Sequence, residues 1–151
     1  MNTRALARTL YNINAIRFGE FRLKSGILSP FYIDLRVTIS YPDVLKTIAE
    51  TFWERIQPLS FDRITGVPYT ALPFAVALSL EHNLPMVLRR KEAKSYGTKK
   101  IIEGEFKKGD TCLVIEDVIT SGASVFETIE PLETAGLIVS DIAVLIDREQ
   151  G

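Results

Sequence analysis

Short apolar runs alternate along the chain with segments whose apolar residues recur every three to four positions, and this alternation narrows the fold more than any other feature. The runs are residues 63–67, 86–88, 112–115 and 142–146. Val44, Leu45, Ile48, Ala49, Phe52, Trp53 and Ile56 share one side of a helix that Pro58 ends, with Ser40 and Asp43 in capping-box spacing ahead of it. Residues 71–81 predict a second helix, and Val125, Ile129 and Leu132 mark a third. Nearer the start, Leu6, Leu10 and Ile13 predict a helix, and residues 18–23 and 31–35 predict two strands, with a turn at Ser29-Pro30. Uninterrupted apolar strands are buried on both faces. The expected fold is therefore α/β, a central parallel sheet flanked by helices and joined by right-handed crossovers, with ligands at the carboxyl ends of the strands.

At 151 residues one domain, 1–151, is expected, large enough to fold without a metal or disulfide staple. The 18 basic and 19 acidic side chains leave a net charge of −1, so any anion site must be local and no nucleic-acid partner is expected. The single cysteine, Cys112, and a start without a secretory apolar stretch predict a cytoplasmic protein. The longest apolar stretch, residues 71–80, contains Pro73 and Ser79 and is too short to cross a bilayer, so no membrane association is expected.

The richest chemistry lies in residues 112–124, CLVIEDVITSGAS, where a buried strand runs into two carboxylates and a turn of small residues before a helix. Backbone N–H groups around residues 120–124 can converge on a phosphate, aided by the partial positive charge of the helix N-terminus, and Gly122 permits close approach. Glu116 and Asp117 are neighbours on a strand, so their side chains should diverge, which suits two adjacent sugar hydroxyls better than one shared proton. Residues 89–100 carry six basic side chains against one acid, few apolar anchors and Gly97. Such a segment suits a lid over a charged substrate. In the closing DREQG, residues 147–151, a guanidinium could grip a planar carboxylate.

Residues 112–124 resemble the phosphoribosyl-pyrophosphate signature of the type I phosphoribosyltransferases. Together with FRLKSG at 21–26, SPFYID at 29–34, GVPYTALP at 66–73 and DREQG, the chain from residue 11 to residue 151 is similar to the orotate phosphoribosyltransferase family, in the form found in UMP synthase. The resemblance implies the type I phosphoribosyltransferase fold with a small N-terminal hood. It implies transfer of ribose 5-phosphate from phosphoribosyl pyrophosphate (PRPP) to orotate, yielding orotidine 5-phosphate and pyrophosphate in de novo UMP biosynthesis, with Mg2+ as cofactor and no residue assigned as a metal ligand. It also implies a homodimer and an orotidine 5-phosphate decarboxylase as a partner. The family usually continues with further strand and helix beyond DREQ, so a domain without that C-terminal segment is expected.

By the same resemblance, Glu116 and Asp117 hold the ribose hydroxyls, Thr120, Ser121, Gly122, Ala123 and Ser124 hold the 5-phosphate, and Val118 and Ile119 between them count among the PRPP-binding residues. Tyr69 and Thr70 belong to the pyrophosphate turn, and Arg90, Lys91, Lys94 and Tyr96 to a mobile basic loop that often reaches across a dimer interface. Lys94, Asp117, Arg90 and Lys91 are the implied catalytic groups; Lys24, Phe31, Tyr32, Thr120 and Arg148 are implied to hold orotate. Tyr96 and Thr70 stand where bacterial stand-alone enzymes commonly carry His and often Lys, and both match the UMP synthase type. His82, Cys112 and Trp53 are read as structural, Trp53 within a core stripe. Two alternatives stay open: a purine-salvage phosphoribosyltransferase, because the ribose-phosphate signature does not name the base, and a PRPP-binding regulator without turnover.

Overall fold

Leu6 and Leu10, four positions apart, are the buried residues of α1 (Thr3–Asn12), as their spacing predicts. The computed structural model describes residues 3–22, 26, 28–91 and 100–149. Two units pack internally, residues 1–48 and 49–151. In the first, α1 leads into an antiparallel hairpin of β1 (Ile16–Arg22) and β2 (Leu28–Ile33). The second strand starts earlier than the Ser29-Pro30 turn predicted. Pro30 falls where the register shifts between the Phe18–Phe31 and Phe21–Ser29 pairs, a bulge position at which a missing N–H is tolerated.

A 3-10 helix, Leu35–Ser40, follows the hairpin and has no counterpart in the hydrophobic periodicity. The Asp34 carboxylate caps it, accepting from the Arg36 backbone N–H at 3.2 Å and from the Arg36 guanidinium at 2.7 and 2.8 Å. Because Ser40 ends this short helix, the expected capping box does not open the next one. Pro42 stands first in α2 (Pro42–Ile56), and the Tyr41 carbonyl accepts from the Val44 and Leu45 N–H groups. Val44, Ile48, Ala49, Phe52 and Ile56 form its buried stripe. Trp53 leaves that stripe: it is half-buried and stacks on His82 at 4.0 Å.

The second unit holds β3 (Arg63–Gly66), α3 (Ala71–His82), β4 (Leu88–Arg89), β5 (Ile102–Glu103), β6 (Thr111–Ile119), α4 (Ala123–Thr134) and β7 (Ile138–Asp147). The central sheet is parallel in the order β3-β6-β7, and Met86 extends it by a parallel bridge to Ile64. This is the α/β architecture expected, with α3 packed on β3 and β6 and α4 on β7. β4 and β5 form a small antiparallel pair, and the two residues of β5 are too few to leave a periodic signal. Cys112, Leu113, Val114 and Ile115 are all 0% exposed, as a strand covered on both faces should be. Along β7, Ile138 and Ile142 stay exposed, since among the described residues this strand pairs with β6 alone. No helix among the described residues is long and apolar enough to cross a membrane.

Gly66 ends β3 where the first turn of α3 crosses it. A β-carbon there would overlap the Ala71 carbonyl and the Leu72 backbone, so the strand can turn into α3 only through glycine. Gly66→Ala is expected to destabilise the fold by about 2 kcal/mol or more. Urea unfolding of the two proteins measures this; an unchanged midpoint would contradict the crowding.

Candidate active site

Parallel pairing brings the carboxyl ends of β3, β6 and β7 to one edge of the sheet. The Val67 N–H donates to the Ile115 carbonyl at 2.9 Å and the Arg148 N–H to the Ile119 carbonyl at 3.1 Å, so the segments leaving β3 and β7 are both pinned to β6. The predicted 69–70, 116–124 and 148 positions therefore come together in the second unit.

β6 runs four residues beyond the apolar run that announced it. Glu116 and Val118 pair with Val144 and Ile146, and Ile119 pairs with Asp147. Of the expected PRPP-binding residues, Val118 and Ile119 thus lie in the strand, Thr120 and Ser121 form an exposed turn, and Ala123 and Ser124 start α4. Gly122 makes the corner with φ +79, the left-handed region that glycine enters without strain. The first bond within α4 runs from the Phe126 N–H to the Gly122 carbonyl, which leaves the Ala123, Ser124 and Val125 N–H groups without acceptors inside the helix. That array, with the helix dipole behind it, suits a phosphate.

Glu116 and Asp117 do not play equal parts. Glu116 is only 2% exposed. Its carboxylate accepts from the Ser124 hydroxyl at 2.8 Å and from the Asp117 backbone N–H at 2.9 Å. Burial pushes its carboxyl up to about 7, helped by a hydrogen bond with the Asp117 carboxyl and opposed by the Ser124 bond. The Ser124 bond folds the carboxyl of Glu116 back under the turn. Asp117 is half-buried and is the carboxylate of the pair with a face toward solvent.

A cavity of about 420 Å3 is lined by Tyr69 and Leu72 on one side and Leu88, Arg89, Arg90 and Lys91 on the other. Two of its three cations are held in place: Arg90 pairs with Glu103 at 3.4 Å, and the Lys91 ammonium lies 5.3 Å from the Tyr69 ring centre. Thr70 takes the N-cap position of α3 without a side-chain capping bond. Three arginines and lysines facing an aromatic turn make a small cationic basin in a nearly neutral chain, suited to a polyanion.

Lys24, Lys94 and Tyr96 lie outside the described residues. In the first unit, Phe31 and Tyr32 are consecutive on β2 and so point to opposite faces of the hairpin: Phe31 is opposite Phe18, whereas Tyr32 lies 5.6 Å from Phe21 and under the Arg17 guanidinium. They do not form one stacking surface. Cys112 is fully buried, and burial raises its thiol to about 12, in keeping with a packed side chain. Sequence reasoning missed the Glu116–Ser124 bond and the Arg90–Glu103 pair, since eight and thirteen residues separate the partners and no helical or strand period links them.

Residues 40–151 match the family model of the phosphoribosyl transferase domain. The chain is 52% identical over 149 residues to uridine 5'-monophosphate synthase of Bos taurus, covering 97% of this chain and 31% of that protein. It is 48% identical over 144 residues to orotate phosphoribosyltransferase of Chlamydia caviae, covering 94% of this chain and 70% of that one. Superposition on the solved UMP synthase of Leishmania donovani gives a TM-score of 0.90 at 44% identity, over 100% of this chain and 33% of that structure. The chain thus spans about a third of the two UMP synthases.

The buried Glu116 sets a pH dependence. Its folded-state pKa is about 7 against an ordinary 4.5, so between these values the folded state binds more protons than the unfolded one. Stability should fall as pH rises from about 4.5 to about 7, by on the order of 2–3 kcal/mol, and level off above. Glu116→Gln should flatten this decline; urea unfolding at pH 5 and pH 8 checks it, and equal slopes in both proteins would refute the assignment.

Proposed function

Because this chain belongs to the phosphoribosyl transferase domain family, and within it to the orotate phosphoribosyltransferases, we propose that it transfers ribose 5-phosphate from PRPP to a ring nitrogen of orotate. The products are orotidine 5-phosphate and pyrophosphate, in UMP biosynthesis. The observation that carries this reading is the meeting, at one sheet edge, of a carboxylate-bearing strand end with an α-helix N-terminus. It suits a donor with a sugar diol and a phosphate.

Thr120, Ser121, Gly122, Ala123 and Ser124 would receive the 5-phosphate through their N–H groups, and the Glu116–Asp117 pair is assigned to the ribose hydroxyls, Asp117 being the more accessible of the two. Tyr69, Thr70, Arg90, Lys91, Lys94 and Tyr96 are assigned to the departing pyrophosphate. Cleavage of its bond to the sugar leaves oxocarbenium character on the ribose and negative charge on the leaving group. Cations held in advance around that charge lower the barrier without a covalent enzyme nucleophile. Family correspondence assigns orotate to Lys24, Phe31, Tyr32, Thr120 and Arg148; a guanidinium suits its carboxylate.

Among the described residues, no three His, Cys, Asp or Glu side chains converge in the manner of a protein-built metal cage. Hydroxyls and an accessible carboxylate fit a Mg2+ ion that arrives held by the donor's own oxygens and water. When bound, the ion neutralises diphosphate charge and makes it a better leaving group. Family membership further supports a single phosphoribosyltransferase domain, a homodimer, a cytoplasmic setting and a decarboxylase that consumes the product.

Orotate consumption with PRPP and Mg2+ tests the reading. Turnover by the chain is expected, with losses of about a hundredfold or more in Asp117→Asn and Lys94→Ala. Turnover of adenine or hypoxanthine in place of orotate would assign a purine-salvage enzyme. Binding of both substrates without reaction would assign a regulator.

A further inference from the structure

Alongside β5 the second unit carries two cavities that meet, and neither shares a lining residue with the 116–124 stretch or with the Tyr69–Lys91 basin. One is apolar and the other cationic. We propose that together they form a binding site for a small amphiphilic anion, a flat ring joined to a phosphate, with the ring in the apolar chamber and the phosphate in the cationic one.

The apolar chamber, about 290 Å3, is walled by Ile101, Ile102, Phe106 and Pro131. That volume lies near the lower end for small-molecule pockets and suits one ring system. Ile102 is buried and Pro131 lies inside α4, so these walls belong to regular elements. The hairpin side is pinned as well: Arg89 pairs with Ile102, and the Arg90 N–H donates to the Ile101 carbonyl at 2.8 Å. A ring placed here exchanges water for aliphatic and aromatic surface. Thr134 and Ala135, at the carboxyl end of α4, complete the lining. The helix dipole is negative at that end, which disfavours an anion in this chamber and fixes the ligand's direction: ring toward α4, charge away from it.

The charged end then faces the second chamber, about 470 Å3, which shares Lys100, Gly104 and Phe106 with the first and adds Arg63, Lys107 and Glu105. Its wall is tied together. The Asp110 carboxylate accepts from the Arg63 guanidinium at 3.1 Å and from the Lys107 backbone N–H at 3.0 Å. Arg63 also donates to the Glu105 and Asp62 carbonyls, at 3.1 and 2.7 Å. The guanidinium is thereby held in one orientation with part of its donor fork unspent. Even with Asp110 counted beside Glu105, the cations Arg63, Lys100 and Lys107 are in excess, which favours an anionic head.

Phenyl phosphate is the probe, with phenol and inorganic phosphate as its two halves. Each is titrated into the full chain at constant ionic strength, and binding is read from the amide chemical shifts of Gly104, Phe106 and Ala135. Phenyl phosphate is expected to shift all three and to bind there at least about tenfold tighter than either half. Lys100→Ala combined with Lys107→Ala should weaken phenyl phosphate about tenfold and leave phenol unchanged. Phe106→Ala should weaken phenyl phosphate and phenol alike. Should that variant fail to fold, Ala135→Leu carries the same arm, since it fills the apolar chamber from an exposed position and should weaken both ring compounds. Shifts confined to residues 120–124, phenyl phosphate binding no tighter than phosphate alone, or full affinity in the double lysine variant would overturn the proposal, and each leaves the proposed function standing.

Discussion

Everything at the candidate site hangs on β6 being gripped from both sides. Its first residues are buried so fully that four consecutive side chains lose all contact with water. That removes apolar surface from solvent on two faces at once, while parallel ladders to β3 and β7 satisfy the backbone. A strand held this way cannot slip by one residue without turning Glu116 outward and an apolar neighbour into the turn. The ends of the flanking strands then have no independent position, because their exits are hydrogen-bonded to Ile115 and Ile119 of the same strand.

From that anchor the electrostatics separate. One carboxyl is drawn inside, with one oxygen bonded to Ser124 and the other to the Asp117 N–H, a second stays nearer the surface, and the α4 terminus adds a partial positive charge beside them. The cationic basin of Arg89, Arg90 and Lys91 lies against the β3–α3 turn, with Arg90 held by Glu103 and Lys91 by the Tyr69 ring. Fixed N–H groups and fixed cations favour a phosphorylated, strongly anionic ligand without requiring the chain as a whole to be basic. This reconciles a net charge of −1 with the polyanion substrate proposed.

Elements with a long hydrophobic period are legible in the order of residues itself. α1, α2, α3, α4 and the parallel strands stand where spacing predicts them, as does the order of carboxylates, small turn and helix, because these features are written by neighbours within a few positions of each other. Short pieces are not legible in this way. The 3-10 helix and β5 are too brief for a period to register, and Pro30 enters a strand only because a bulge exists there.

Residue chemistry along the strand–turn–helix stretch and the segments around it determined, unaided, the fold class, the family and which groups could meet a sugar phosphate. Local order along a chain is enough for that, since a phosphate turn and its carboxylates are contiguous. Only the folded chain decided that Glu116 turns inward to Ser124 while Asp117 remains accessible, that Phe31 and Tyr32 face apart, and that Arg90 already has an acidic partner in Glu103. Those outcomes depend on burial and on contacts between residues distant in sequence. Burial is a property of what packs around a side chain, and no spacing rule carries it.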